Sequence, residues 1–241
     1  MSDLLDTAIA AHGGAETWRT VDTLRFRLRV RGNILMLRGR SPRTRALTAS
    51  LAAHRVHARL DPFPGPGRVG VLDGDEVWIE DADGTVLQRR PRTPAGQRQG
   101  RLWDALDELN FLAYAFWNYG TTPFLLARPE IATRELPPVD GPGGPLRRLV
   151  ATFPPSIPTH SREQTFSFGP DGLLRRLDYT ADVFGPIAHG AHFCHAPRAF
   201  DGLVVPTHRR VVPYALRRFP NRAPAAMEGW IDDVAVERRH G

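Results

Sequence analysis

Lysine is absent, cysteine occurs once, and the 241-residue chain has no apolar run long enough to cross a membrane as a helix. Each absence excludes something. A lone cysteine, Cys194, rules out an intrachain disulfide and argues against an oxidising compartment. The opening MSDLLDTAIAAHGGAETW has no basic segment, and Asp3 and Asp6 interrupt its apolar residues, so no secretory signal is expected. Together these give the expectation of a cytoplasmic protein without a membrane span. With lysine missing, all 32 basic residues are arginine, which a GC-rich coding bias explains. The net charge of +6 is spread along the chain among 26 acids, without the interleaved aromatics of a nucleic-acid platform, so no nucleic-acid partner is expected. Also missing are a Gly-x-Ser-x-Gly elbow, a glycine-rich phosphate loop, a dinucleotide fingerprint, a His-Glu-x-x-His helix and a paired-cysteine zinc motif. No cofactor and no metal is therefore expected.

What is present is an ordinary globular composition, 41% hydrophobic and 24% charged. The length suits one domain over residues 1–241 that buries a core without staples. Residues 3–12 read as a short helix ended by Gly13-Gly14. In TLRFRLRVRG, Leu24, Phe26, Leu28 and Val30 alternate with four arginines, the period-two pattern of a strand with one dry and one wet face. HRVHARL places Val56, Ala58 and Leu60 on one face, and turns at Asp73-Gly74 and Ala82-Asp83-Gly84 separate further short strands. RLWDALDELNFLAYAFWNYG, residues 101–120, is long and apolar nearly all round, so it predicts a buried helix stopped by Gly120 and Pro123. Residues 137–145 read as a loop. Short turns between successive strands require antiparallel pairing.

Two hairpins can be registered. A two-residue loop at Pro170-Asp171 sets Phe166 opposite Arg175, Gln164 opposite Leu177, Arg162 opposite Tyr179 and His160 opposite Ala181. That face is apolar yet carries His160, Arg162, Gln164 and Arg175, which fits either a half-exposed rim or the lining of a cavity. The turn Asp201-Gly202 sets His192 opposite Val211, Cys194 opposite Arg209 and His195 opposite His208. His189, His192 and His195 are three apart, so neighbours point to opposite faces, and only His195 and His208 converge, which is too few ligands for zinc. Arg209 opposite Cys194 would favour a thiolate nucleophile; a buried cysteine is otherwise a small apolar filler.

The opening HGGAETWRTVDTLRFRLRVRG and the late FDGLVVPTHRRVV with WIDDVAVE resemble proteins of the LolA/LolB-like lipoprotein-carrier superfamily. The resemblance implies an α+β fold in which a strongly curved antiparallel sheet, an incomplete barrel, has helices packed on its concave face. It also implies a greasy ligand held between sheet and helical lid. The chain would be a cytoplasmic, divergent member, since it lacks an export signal.

The leading expectation is a cavity protein for a hydrophobic small molecule such as a lipid, polyketide or terpenoid. Trp103, Phe116, Trp117, Asn118, Tyr119, Gln164, Phe166 and Cys194 are its candidate binding residues. The alternative is a cofactor-independent enzyme, an isomerase, cyclase, dehydratase or hydrolase. In it His160 or His192 serves as acid or base, Tyr179 donates, and Arg162 or Arg209 stabilises an oxyanion.

Overall fold

The computed structural model describes residues 3–93, 100–141, 143–219 and 221–239. Helices α1 (Asp3–Ala11) and α2 (Ala15–Thr20) open the chain. Six strands follow: β1 (Val21–Gly32), β2 (Arg45–Ala52), β3 (His57–Asp61), β4 (Arg68–Asp73), β5 (Glu76–Asp81) and β6 (Val86–Pro91). After α3 (Ala105–Thr121) come β7 (Ala132–Gly141), β8 (Gly144–Thr152), β9 (Glu163–Phe168), β10 (Leu174–Thr180), β11 (His189–Phe200), β12 (Leu203–Pro213) and β13 (Met227–Arg238). They form one sheet ordered β6-β5-β4-β3-β2-β1-β13-β12-β11-β10-β9-β8-β7. Every described pairing is antiparallel, so two meanders are joined where β1 meets β13.

This order explains α3. Strands β6 and β7 are consecutive in the chain but lie at opposite edges, so their connection must cross a face of the sheet. Seventeen helical residues reach about 25 Å, the width of roughly five strands. The helix lies against β2, β3, β4 and β5. Gly120 lets it approach: a Cβ there would stand 2.5 Å from Leu51 Cδ1 and 3.0 Å from Phe26 Cε2. The helix begins at a capping box missed by the sequence reading. Asp104 accepts from Asp107 N at 2.9 Å, and Asp107 accepts from Asp104 N at 3.1 Å. Asp104→Ala is expected to cost about 1 kcal/mol in urea unfolding, because the Asp107 amide then loses its partner. An unchanged midpoint would show that the ion pair left between Arg90 and Asp107, at 2.5 Å, holds this end by itself.

The expected strongly curved sheet, an incomplete barrel, is not what forms. The sheet is open, neither strongly curled nor closed, and β6 and β7 remain edges. Closure needs an unbroken ladder between first and last strands, and both edges resist one. Strand β6 is exposed and ends at Pro91, while β7 carries Pro137 and Pro138 beside a register shift. Proline offers no N–H to a ladder and is confined to such edges. The loop read at 137–145 is corrected on the same ground: β7 runs through Pro137-Pro138 to Gly141.

The alternation in β1 sorts as read, with Leu24, Phe26, Leu28 and Val30 buried and Arg25, Arg27, Arg29 and Arg31 exposed. Its arginines meet β13 acids at the surface, as in Arg29–Asp232 at 3.1 Å, pairs worth at most about 1 kcal/mol each. The β11–β12 register is the one read from Asp201-Gly202, including Cys194 opposite Arg209. The β9–β10 register is displaced: Phe166 faces Leu177, not Arg175, because Gly169 pairs with Leu173 and a bulge follows Leu174. The displacement is one residue at Phe168, which faces Leu174, and two at Phe166, so Leu177 and Tyr179 stay inward while the buried Leu174 takes the place read for Leu173 and Arg175. No described helix is long and apolar enough to cross a membrane.

Candidate functional site

Between α3 and strands β1, β2, β12 and β13 lies a cleft of about 760 Å³, its open mouth included. Phe26, Leu28, Leu51, Phe116, Met227 and Ile231 are among its apolar walls. Gly229 on β13 lies between Val30 and Arg209 in the ladder, on the same inward face. A Cβ added there would meet only Arg29 O at 3.8 Å, so the missing side chain is part of the hollow. A second groove shares Phe111, His160 and Tyr179 with the cleft and opens beside the exposed Leu37 and Ile187.

One end of the cleft is polar, and its hub is His160. The residue precedes β9 and is held where Asp182 N donates to its carbonyl at 3.0 Å. Nδ1 lies 3.1 Å from Tyr114 Oη and Nε2 lies 2.6 Å from Tyr119 Oη, which in turn lies 3.1 Å from Tyr179 Oη. The Tyr179 ring stacks on the imidazole at 4.3 Å between centroids. Burial pushes His160 down to about 3 and raises Tyr119, Tyr114 and Tyr179 above the ordinary phenol range. All four are therefore neutral near pH 7. A neutral imidazole has one donor and one acceptor nitrogen, so one tyrosine donates to His160 and the other accepts from it.

Beside this network stand His192 and Arg209. His192 is 1% exposed, neither ring nitrogen has a hydrogen-bond partner, and its ring meets Tyr119 edge-on at 4.5 Å. Burial first, then the charge of Arg209, hold its imidazole well below the ordinary range. Arg209 is 9% exposed; it donates to Tyr119 O at 3.2 Å and Cys194 Sγ at 3.4 Å. Burial pushes the Cys194 thiol up, outweighing the Arg209 charge, so the thiolate reading loses its basis.

The structure thus brings together His160, Tyr179, His192, Arg209, Phe116 and Tyr119 around one cleft. It leaves the other sequence candidates elsewhere. Arg162 is exposed, because β9 starts only at Glu163 and the residue falls in the preceding loop. Trp103 is buried against Phe111 and Phe184, outside the cleft lining. Trp117 is core, its Nε1 bound to Ala52 O at 3.0 Å. Asn118 ties Tyr114 O to Pro158 O, Gln164 bonds Thr159 and Ser161, and Phe166 packs on Phe153. Tyr114 and Gly229 were missed. The rule that a buried hydroxyl needs a partner would have flagged Tyr114, one helical turn from Phe111 and Asn118.

His195 and His208 face each other on the opposite side of the sheet at 5.5 Å, with His208 Nε2 3.0 Å from Glu228 Oε1. Among the described residues no group of three or more ligating side chains is placed to hold a metal.

No protein-family model and no curated protein matches the chain. Solved structures do match. A DUF1329 family protein from Desulfovibrio piger is 14% identical with a TM-score of 0.56, over 97% of this chain and 92% of that one. A putative outer membrane lipoprotein-sorting protein domain from Vibrio parahaemolyticus is 8% identical with a TM-score of 0.56, over 98% and 91%. A LolA superfamily protein from Nitrosomonas europaea is 9% identical with a TM-score of 0.54, over 97% and 92%. At such identities the likeness concerns the fold alone. The reading of a cytoplasmic, divergent member of the LolA/LolB-like group is corrected: a structure sharing this fold is described as a putative outer membrane lipoprotein-sorting protein domain, so the fold carries no cytoplasmic placement. The chain shares its fold with these three proteins, and the cytoplasmic placement is withdrawn.

Proposed function

We propose that the chain, acting as one domain over residues 1–241, binds a hydrophobic small molecule in the cleft between α3 and the centre of the sheet. The observation that carries this reading is the apolar hollow itself, walled by Phe26, Leu28, Phe116 and Ile231 with a few polar groups at one end, the usual makeup of a ligand site. The fold likeness to proteins described as LolA superfamily and lipoprotein-sorting supports it. Phe116 and Tyr119 form walls, and Tyr179, His192 and Arg209 form the polar end. A catalytic role for His160 finds no support in the geometry. Both its nitrogens are held by tyrosines, and among the described residues no carboxylate forms an ion pair with it.

Gly229→Phe tests the reading. Its Cβ fits, and the ring then enters the cleft. The variant is expected to melt with the wild type yet bind the neutral dye Nile red at least about tenfold more weakly, a loss of about 1.4 kcal/mol. Native mass spectrometry of freshly purified wild type is expected to show a lipid-like passenger that the variant lacks. Equal dye binding by a well-folded Gly229→Phe would overturn the assignment of the cleft.

A further inference from the structure

A guanidinium nine-tenths buried ordinarily has a carboxylate partner, because a lone charge out of water is costly. Arg209 has none: no ion pair to it exists among the described residues. Only two of its N–H groups have acceptors, a backbone carbonyl and a thiol, and Nε is buried without a partner. The residue faces the cleft next to Gly229, where no side chain stands between it and the hollow. His192 lies diagonally across the β11–β12 ladder on the same face, both nitrogens equally unpartnered. The two are near enough for the Arg209 charge to disfavour a proton on the imidazole. Around them are neutral tyrosines and apolar walls; among the described residues no second cation lines the cleft, and its carboxylate, Glu228, is taken up by Arg210 at 2.9 Å and His208 at 3.0 Å.

Resting on the reading of the cleft as a ligand site, we propose that the ligand is an amphipathic monocarboxylic acid of the fatty-acid type. Its carboxylate pairs with Arg209, His192 Nδ1–H or Nε2–H donates to one carboxylate oxygen, and the alkyl tail runs along Phe26, Leu28, Phe116 and Ile231. The charge count decides the headgroup. Glu228, the carboxylate on the lining, is already paired with Arg210 at 2.9 Å. One guanidinium left without a counter-charge matches a monoanion, whereas a phosphate monoester brings a second negative charge with nothing to meet it. The flat fork of Arg209, with donors left on Nε and both terminal nitrogens, suits a planar carboxylate. The ligand thereby supplies the counter-charge that the protein omits, and an apolar cleft becomes selective for acids over other lipids.

The test titrates delipidated protein with dodecanoate, dodecanol, dodecylammonium and dodecyl phosphate. Dodecanoate is expected to bind at least about tenfold more tightly than the alcohol, with the ammonium weakest, and Arg209→Met is expected to erase the preference for acid over alcohol. Should that variant fail to fold, NMR of carboxyl-labelled dodecanoate on the wild type decides: the bound carboxyl is expected to titrate below its value in water, held ionised by Arg209. Equal affinity for acid and alcohol, or a bound carboxyl titrating at or above its value in water, overturns the carboxylate assignment and leaves the apolar cleft standing. Tighter binding of dodecyl phosphate or dodecylammonium overturns it too. If none of the four binds, the cleft reading falls with it.

Discussion

Trp117→Ala is expected to destabilise the protein by about 3–5 kcal/mol, a large share of the roughly 5–15 kcal/mol that holds an ordinary domain folded. Trp117 is fully buried on α3, the helix within the connection that carries the chain from one edge of the sheet to the other. Its ring fills the helix–sheet interface, and its Nε1 donates to Ala52 O at 3.0 Å, tying the end of β2 to the helix. Alanine would leave a void and remove the indole donor from the half-buried Ala52 carbonyl at once, and close packing allows little collapse around it. Urea unfolding measures the loss. Phe116→Ala, one residue away but half-buried on the cleft wall, should cost far less, because its ring already borders empty space. If both substitutions cost the same, α3 is not seated as described.

Local patterns were legible wherever one face of an element is wet. The alternation of β1 and the all-round apolarity of α3 sort the right residues inward, since burial follows directly from side-chain period. The Asp201-Gly202 turn fixed ten further pairings, down to Cys194 against Arg209. The turn at 169–172 did not behave so simply, because one extra turn residue and a bulge each shifted the ladder. Features set by distant parts of the chain were not legible. Whether the sheet closes depends on how β6 and β7 compare as edges, and their prolines read locally as loop signals. Within the site, His192, Arg209 and Tyr179 follow from strand parity. His160 reaches them from a loop, through hydroxyls on a helix that no register argument can orient. The space at Gly229 has no sequence signal, since a glycine in a strand reads only as a weak point.

Acidification supplies the second large effect. Burial holds His160 neutral in the folded protein down to about pH 3 and His192 neutral well below its ordinary range. The unfolded chain protonates both near pH 6.5. Below that value the unfolded state binds more protons, so stability present at pH 7 is lost as the pH falls. Between pH 7.5 and 5 the loss is about 2 kcal/mol for His160 alone, with His192 adding a loss of the same sign. His12 and His57, lowered chiefly by burial, act in the same direction. Asp178 and Asp182, raised by burial, oppose it, but mainly at lower pH, where carboxyls titrate in the unfolded chain. Urea midpoints of ligand-free protein at pH 7.5 and 5 should therefore differ sharply. His192→Leu should flatten that dependence by close to one proton, because the leucine fills the same space and forfeits no hydrogen bond. A wild-type midpoint that holds steady across this range would mean that both imidazoles take up protons in the folded state. The polar end of the cleft would then be wet, and Arg209 would not be the one buried charge awaiting a partner there.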